Sequence, residues 1–286
     1  MEFFALLVAL GMYASRGEAM LLQRDDWYHR LRGLLAAWLS GRGLQLAGVL
    51  LPVVVLELVY IGVGGMAGGL VEFALLVLVL SYALGRGSLG AALAAYLERW
   101  SRGDFQAAHQ VLTDEAAMAA PDGIEDPVSL HNAARRRLYY RSFERVFAVM
   151  FWFVLGGPAG ALAYRLVALD GESHSPEMSA APEILPLRDW ADWLPARLLG
   201  LSFALVGHFD ACLRKWRGLI AEVGPAAVDV LESCGNAALD LQQPQADESI
   251  EALVSRGAAE IESVEVLHRR ALVVWLVVVA FLEMIG

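Results

Sequence analysis

Five apolar stretches, separated by arginine-rich regions, constrain this chain more than anything else in it. They are residues 44–61, 69–84, 146–169, 194–209 and 271–285. At ~1.5 Å rise per residue, each is close to the length that crosses a ~30 Å hydrocarbon core. A sixth stretch, residues 3–13, covers about half that thickness and reads as a retained short or half-inserted helix. It has Glu2 where a secretory signal would carry a basic segment, and no small-residue cleavage site follows it. Hydrophobic residues make up 57% of the chain and mean hydropathy is +0.50, above the roughly 45–50% apolar content of soluble domains. Charged residues still reach 19%, so part of the chain must face water. The expected fold is all-α: a polytopic helical membrane protein of about five spans plus the short N-terminal helix, with a helical cytoplasmic layer.

Arginine placement gives the expected orientation, because positively charged loops stay in the cytoplasm. Residues 14–43, 85–145 and 210–270 hold the arginine clusters and are assigned to the cytoplasm. The connection 62–68 is uncharged, and 170–193 is mostly acidic with Arg188 alone positive. Both are therefore expected outside, as is the C-terminus. The net charge of −10 excludes a basic nucleic-acid face. Cys212 and Cys234 both fall in a reducing cytoplasmic region, where a structural disulfide is disfavoured.

The chain reads as a single unit, 1–286, with helical cytoplasmic insertions at 85–145 and 210–270. Apolar residues at helical spacing run from Leu89 to Leu112, and Asp104 stands where a cap would open the second of these helices. Pro121–Asp122–Gly123 breaks the pattern, and 128–144 reads as helix again. Gly224–Pro225 is expected to open a helix, 242–246 to break one, and a long helix to run from about Ser249 into the last apolar stretch. Ser15–Arg16–Gly17–Glu18 has the spacing of a capping box.

Nucleotide and hydrolase motifs are missing: no P-loop (Lys215 is the one lysine), no H-E-x-x-H, no C-x-x-C pair and no G-x-S-x-G. No metal site is expected. Glu57 and Glu72 lie inside apolar stretches, where a charge needs protein or water around it. They read either as hydrated groups near the outer interface or as an ion relay. Gly156–Gly157–Pro158–Ala159–Gly160 interrupts the third stretch, either as a packing kink or as a broken helix that builds a site. Leu194–Pro195–Ala196–Arg197–Leu198 would place Arg197 one turn inside a span, needing a carboxylate, phosphate or carbonyl partner. Asp25–Asp26–Trp27–Tyr28–His29–Arg30 reads as a solvated helix start. Arg135–Arg136–Arg137 reads as a membrane-surface anchor. Glu144 and Arg145 sit where a cytoplasmic helix enters the membrane, placed to pair with another helix or to line a cleft.

The order of several segments resembles the AmpE family of bacterial inner-membrane proteins, which are similar to the CobD/CbiB cobalamin-biosynthesis membrane proteins. The segments are His29–Arg30–Leu31, Arg102–Gly103–Asp104–Phe105, Phe151–Trp152 followed by Gly156–Gly157–Pro158, Pro195–Ala196–Arg197–Leu198 and Ala204–Leu205–Val206–Gly207–His208. Several acidic CobD segments are reduced or replaced here, around Ala168–Leu169–Asp170 and Thr113–Asp114–Glu115, although Glu144 falls near the place of one of those acids. The resemblance implies a regulatory role in β-lactamase induction and cell-wall sensing. Arg197, Glu144, Asp104, His208 and Arg145 are the candidate residues for a small anionic or amphipathic ligand. A Mg²⁺-dependent, CobD-like enzyme acting on a phosphorylated substrate is the alternative, and the only case in which Mg²⁺ is expected as cofactor. A transporter using Glu57 and Glu72 comes third. The expected partners are the lipid bilayer, a protein signalling partner and a second copy of the chain, with no nucleic acid.

Overall fold

The computed structural model describes residues 1–16, 25–64, 68–84, 89–114, 126–172, 187–220, 226–241 and 249–285. Every regular element among them is helical, as expected: α1 (Glu2–Arg16), α2 (Asp26–Leu35), α3 (Gly41–Gly64), α4 (Gly68–Ala83), α5 (Leu89–Ser101), α6 (Phe105–Asp114), α7 (Pro127–Ser142), α8 (Ala148–Glu172), α9 (Leu187–Val206), α10 (Phe209–Leu219), α11 (Ala227–Ala238) and α12 (Ile250–Ile285). A π-turn, Phe143–Phe147, joins α7 to α8. Local chemistry sets several starts. The Ala107 N–H donates to Asp104 at 3.0 Å, so Asp104 caps α6. Asp126 accepts from the Ser129 N–H at 3.1 Å, with Pro127 in the first turn of α7 where its missing N–H costs nothing. Ser15 caps no new helix: it lies inside α1, and its hydroxyl donates back to the Met12 carbonyl at 3.3 Å. The readings at Glu18, 121–123, 224–225 and 242–246 fall outside the described residues.

The chain divides into two compact units. The first comprises Met1–Gly87, Glu144–Ala191 and Glu283–Gly286. Its core joins Tyr28 of α2, Val49 of α3 and Val79 of α4 to Leu162, Leu166, Val167 and Leu169 of α8. α1 lies along α4, and the Met1 amine contacts Glu283 at 2.6 Å. The outer faces of α3 and α4 leave Leu50, Val54, Leu58 and Leu70 more than half exposed. Covering each such side chain is worth ~1.5–3 kcal/mol, so this surface fits a hydrocarbon solvent.

α8 departs most from the sequence reading. A span over 146–169 should cross in one direction, kinked or broken at its glycines and Pro158. The backbone leaves helical geometry at Gly156 (φ −131°) and Gly157 (φ 57°, ψ −150°), and the chain instead doubles back. A Cβ on Gly160 would lie 2.1 Å from the Trp152 carbonyl oxygen, eight residues earlier. Arg188 closes the other end: its guanidinium pairs with Glu144, before α8, and donates to the Ala168 carbonyl at 3.5 Å, near the end of α8. In a straight helix residues 144 and 168 would be ~36 Å apart. α8 is therefore an antiparallel helical hairpin whose tip is Gly156–Gly157–Pro158. Glycine is required twice there: at the tip for the positive φ, and at Gly160 for the close approach of the arms.

The second unit comprises Ser88–Phe143 and Asp192–Leu282. It unites the two expected cytoplasmic insertions with the apolar stretch at 194–209. α9 is a central helix here. Pro195, Ala196, Leu199, Gly200, Phe203 and Ala204 are buried, together with Asp192 and Arg197. Trp216 of α10 donates to the Arg197 carbonyl at 2.7 Å, and Trp275 of α12 donates to the Ser202 hydroxyl at 2.9 Å. Gly235 of α11 has the Tyr139 ring where a Cβ would be, at 2.3 Å.

By length and composition, two described stretches are apolar enough to cross a membrane, Gly41–Gly62 and Pro127–Gly171, and Glu2–Ser15 and Gly69–Ala83 are shorter apolar helices. The second of the long stretches contains the folded-back α8. The expected stretches at 194–209 and 271–285 are not among them. α9 carries buried charges, and the apolar end of α12 follows directly on Arg269 and Arg270.

Candidate functional site

The second unit holds an open cleft of about 590 Å³ where the α9–α10 link meets α11 and α12. The link is shaped by close packing. Gly207 passes the end of α11 so tightly that a Cβ would lie 2.6 Å from the Ala238 carbonyl, and the His208 N–H donates to that carbonyl at 2.8 Å. His208 then stands in extended conformation just ahead of α10. From α12 the cleft receives Glu262, Ser263, Val266, Leu267 and Arg270, a helical face of four- and eight-residue steps. Val206 and Leu239 complete an apolar floor. His208, Glu262 and Arg270 are exposed, and among the described residues none of their side chains makes a hydrogen bond or ion pair. Arg270 is the last charged residue before the apolar end of α12, save Glu283. The cleft thus offers a guanidinium, an imidazole and the Glu262 carboxylate above an apolar wall.

A buried charge cluster stands elsewhere in the same unit. Glu260 accepts from Arg135 at 2.6 Å and from Arg256 at 2.5 Å, and its other contact is His131 at 3.1 Å. Burial pushes the Glu260 carboxyl up, but its hydrogen bond to His131, the Arg135 charge and the Arg256 hydrogen bond outweigh that and hold it at about 2. The Trp100 ring lies 5.0 Å from His131. The sequence pattern predicts a membrane-surface anchor at Arg135–Arg136–Arg137. The structure commits each arginine to protein: Arg136 to Asp229 (2.5 Å) and Glu232 (2.8 Å), and Arg137 to the Leu112 carbonyl. His268 is buried between the Tyr139 and Phe203 rings, its Nδ1 2.8 Å from the Val264 carbonyl, and burial pushes it down to about 4. Cys212 and Cys234 are free thiols, both buried, and the Cys212 thiol donates to the Gly200 carbonyl at 3.5 Å.

The candidate residues separate. Asp104 caps a helix at an exposed position. Arg197 is buried, lies 4.3 Å over the Trp193 ring and donates to the Trp193 carbonyl at 3.0 Å. His208 lines the cleft. In the first unit, buried Glu144 pairs with Arg188 at the base of the α8 hairpin, and Arg145 beside it is half-buried. Glu57 and Glu72 are half-buried, and Glu72 accepts from the Tyr60 hydroxyl at 2.5 Å. Sequence reading missed Glu262 and Arg270 in the cleft and a set of buried pairs in the first unit. Asp25 is 5% exposed and bonded to Arg165 at 3.2 Å and to the Tyr82 hydroxyl at 3.0 Å, so it is no solvated helix start. Arg32 pairs with Asp170. Burial, then the Asp170 charge, raises the Tyr28 hydroxyl to about 12. Among the described residues no group of three His, Cys, Asp or Glu side chains is arranged to hold a metal ion.

The family model described as "Regulatory signalling modulator protein AmpE" matches residues 1–286. The chain belongs to the AmpE family. Its curated relatives include the cobalamin biosynthesis protein CobD of Chromobacterium violaceum, 30% identical over 153 residues, which covers 52% of this chain and 48% of that protein. CobD of Stutzerimonas stutzeri is 29% identical over 96 residues, 32% of each chain. Protein AmpE of Shigella flexneri is 26% identical over 160 residues, 52% of this chain and 55% of that one. The matches thus span a third to about half the length of these relatives. No solved structure matches.

Proposed function

We propose that this AmpE-family chain is a multi-pass regulatory protein of the bacterial inner membrane, linked to cell-wall stress and β-lactam resistance, that responds to a small anionic amphipathic molecule held in the His208–Arg270 cleft. The observation that carries the ligand assignment is the pairing of an unengaged arginine and histidine with an apolar floor, where α12 turns from charged to apolar. A phosphate or carboxylate would accept from Arg270 and His208, and an acyl or other apolar tail would lie on Val206, Leu239 and Val266. The bilayer is one partner in this reading and a signalling protein another.

The test uses the full chain in nanodiscs, titrated with lysophosphatidic acid, lysophosphatidylcholine and inorganic phosphate. Lysophosphatidic acid should bind best. Arg270→Ala should weaken it by roughly tenfold or more, since a hydrogen bond to a charged group is worth ~1.5–3 kcal/mol. Equal affinity for the zwitterionic lipid, or no effect of Arg270→Ala, would remove the assignment. β-Lactamase induction in a deletion strain carrying the same variants tests the regulatory half. A second reading, a CobD-like Mg²⁺-dependent enzyme, is favoured by the similarity to the two CobD proteins. Its sign would be Mg²⁺-dependent turnover of a phosphorylated metabolite that disappears in the deletion strain.

A further inference from the structure

We infer that α8 is a re-entrant membrane hairpin that leaves the bilayer by the face it enters, so that the acidic connection 170–193 lies on the arginine-rich, cytoplasmic face. The inference rests on the membrane placement proposed above. The two arms run side by side and end together: Gly160 lies against the Trp152 carbonyl, and the Arg188 guanidinium reaches both Glu144 and the Ala168 carbonyl, so the chain enters and leaves at one level.

The polarity of the hairpin is that of an inserted loop. Its tip exposes Val154 and Leu155, apolar residues of the same unit as the exposed faces of α3 and α4. Its base is charged, with Glu144 on Arg188, Arg165 on Asp25 and Arg32 on Asp170. Asp25 and Arg32 belong to the arginine-rich region 14–43, and the Tyr82 hydroxyl, near the end of α4, donates to Asp25. The base therefore sits where α4 ends. The start of α4 lies at the other end of this unit, where Gly69 meets Met1, and Met1 contacts Glu283. Acidic residues contribute little to orientation, so the acidic connection does not oppose this placement. The last turn of α12 ends opposite the base, and the chain between 170 and 283 then needs one crossing, which the apolar end of α12 provides. α9, with Asp192 and Arg197 buried in the helical second unit, is not required to cross.

The experiment is site-directed labelling of the full chain in oriented membrane vesicles. Cys212→Ala and Cys234→Ala clear the background, and Ser179→Cys, Ala117→Cys and Ala67→Cys report three connections to a membrane-impermeant maleimide. Ser179→Cys and Ala117→Cys should label in inside-out vesicles and lose labelling completely in right-side-out ones, with Ala67→Cys the reverse. A protease site inserted after Ala180, in the wild-type cysteine background, gives a second reading and should be cut only in inside-out vesicles. Labelling or cleavage of the 170–193 connection on the Ala67 side overturns the hairpin. Recovery of the protein in the soluble fraction would instead remove the membrane placement itself.

Discussion

Replacing Gly160 with alanine should open the α8 hairpin. The added Cβ would stand 2.1 Å from the Trp152 carbonyl oxygen, where ordinary contact needs more than 3 Å. The clashing atom is backbone, so no side chain can swing aside and the arms must separate by about 1 Å or more. Overpacking of this kind costs ~1–3 kcal/mol, and a rigid backbone partner puts this site at the top of that range. The two glycines at the tip give an internal scale. A Cβ on Gly156 meets nothing within 4 Å and its φ of −131° suits any residue, so Gly156→Ala should be nearly neutral. Gly157 has φ 57° and ψ −150°, a region open essentially to glycine alone, so Gly157→Ala should cost ~1–3 kcal/mol from backbone strain without any clash. At ~2–4 °C per kcal/mol, Gly160→Ala should lower the melting temperature by roughly 6–12 °C in detergent, and Gly156→Ala by about a degree or less. The assay is a thermal-shift series on the three purified variants, read by monodispersity after heating. If Gly160→Ala melts with the wild type, or the three lie at one temperature, the doubled-back geometry is wrong.

Other outcomes follow from single contacts. Arg188→Ala strips a partner from buried Glu144 and should cost ~3 kcal/mol, with much of the loss restored by adding Glu144→Gln, because an uncompensated buried charge is the main penalty. A double-mutant cycle on thermal stability checks it, and strict additivity would count against a direct pair. The folded-state pKa of Glu260 lies below its ordinary 4.5, so its contribution is complete above that pH and is lost as pH falls to about 2. His268 is held neutral down to about 4 from an ordinary 6.5, so its contribution is lost between those two values. Each window carries at most about 3 kcal/mol, and unfolding midpoints from pH 7 to 2 should show two declines, the lower one missing in Glu260→Gln. Asp104→Ala should cost about 1 kcal/mol through its lost cap and leave β-lactamase induction unchanged. A loss of induction at full protein level would return Asp104 to the functional site.

The helical class and the positions of α3, α4 and α12 were legible because each depends on local apolar content and caps. Asp104 was readable as a cap for the same reason. The fate of 146–169 was not: a hydropathy window is blind to direction, and a hairpin of two apolar arms has the composition of one span. The signal lay in Gly156, Gly157, Pro158 and Gly160, four residues that permit either a kink or a full reversal. The approach of Gly160 to the Trp152 carbonyl, and the contact of Arg188 with both Glu144 and the Ala168 carbonyl, separate the two. Buried pairs such as Asp25 with Arg165 were hidden because 140 positions separate the partners. In the cleft, His208 stood out through the family-like segment that contains it. Arg270 passed as an ordinary interfacial arginine, since its partner wall comes from the ends of α9 and α11.

The most direct measurement is a distance across the hairpin. Spin labels on Arg145→Cys and Gly171→Cys, in a chain lacking Cys212 and Cys234, report the separation by pulsed electron resonance in nanodiscs. A Cβ at Gly171 meets Arg188 at its Cδ, 2.8 Å away, so a second pair, Arg145→Cys with Glu172→Cys, controls for displacement of that arginine. A folded-back α8 gives a narrow distribution at short range, within about 20 Å once the labels' own length is allowed for. A single continuous helix gives about 39 Å, from 26 residues at ~1.5 Å each. A peak at the longer distance would contradict the hairpin and restore 146–169 as a membrane span.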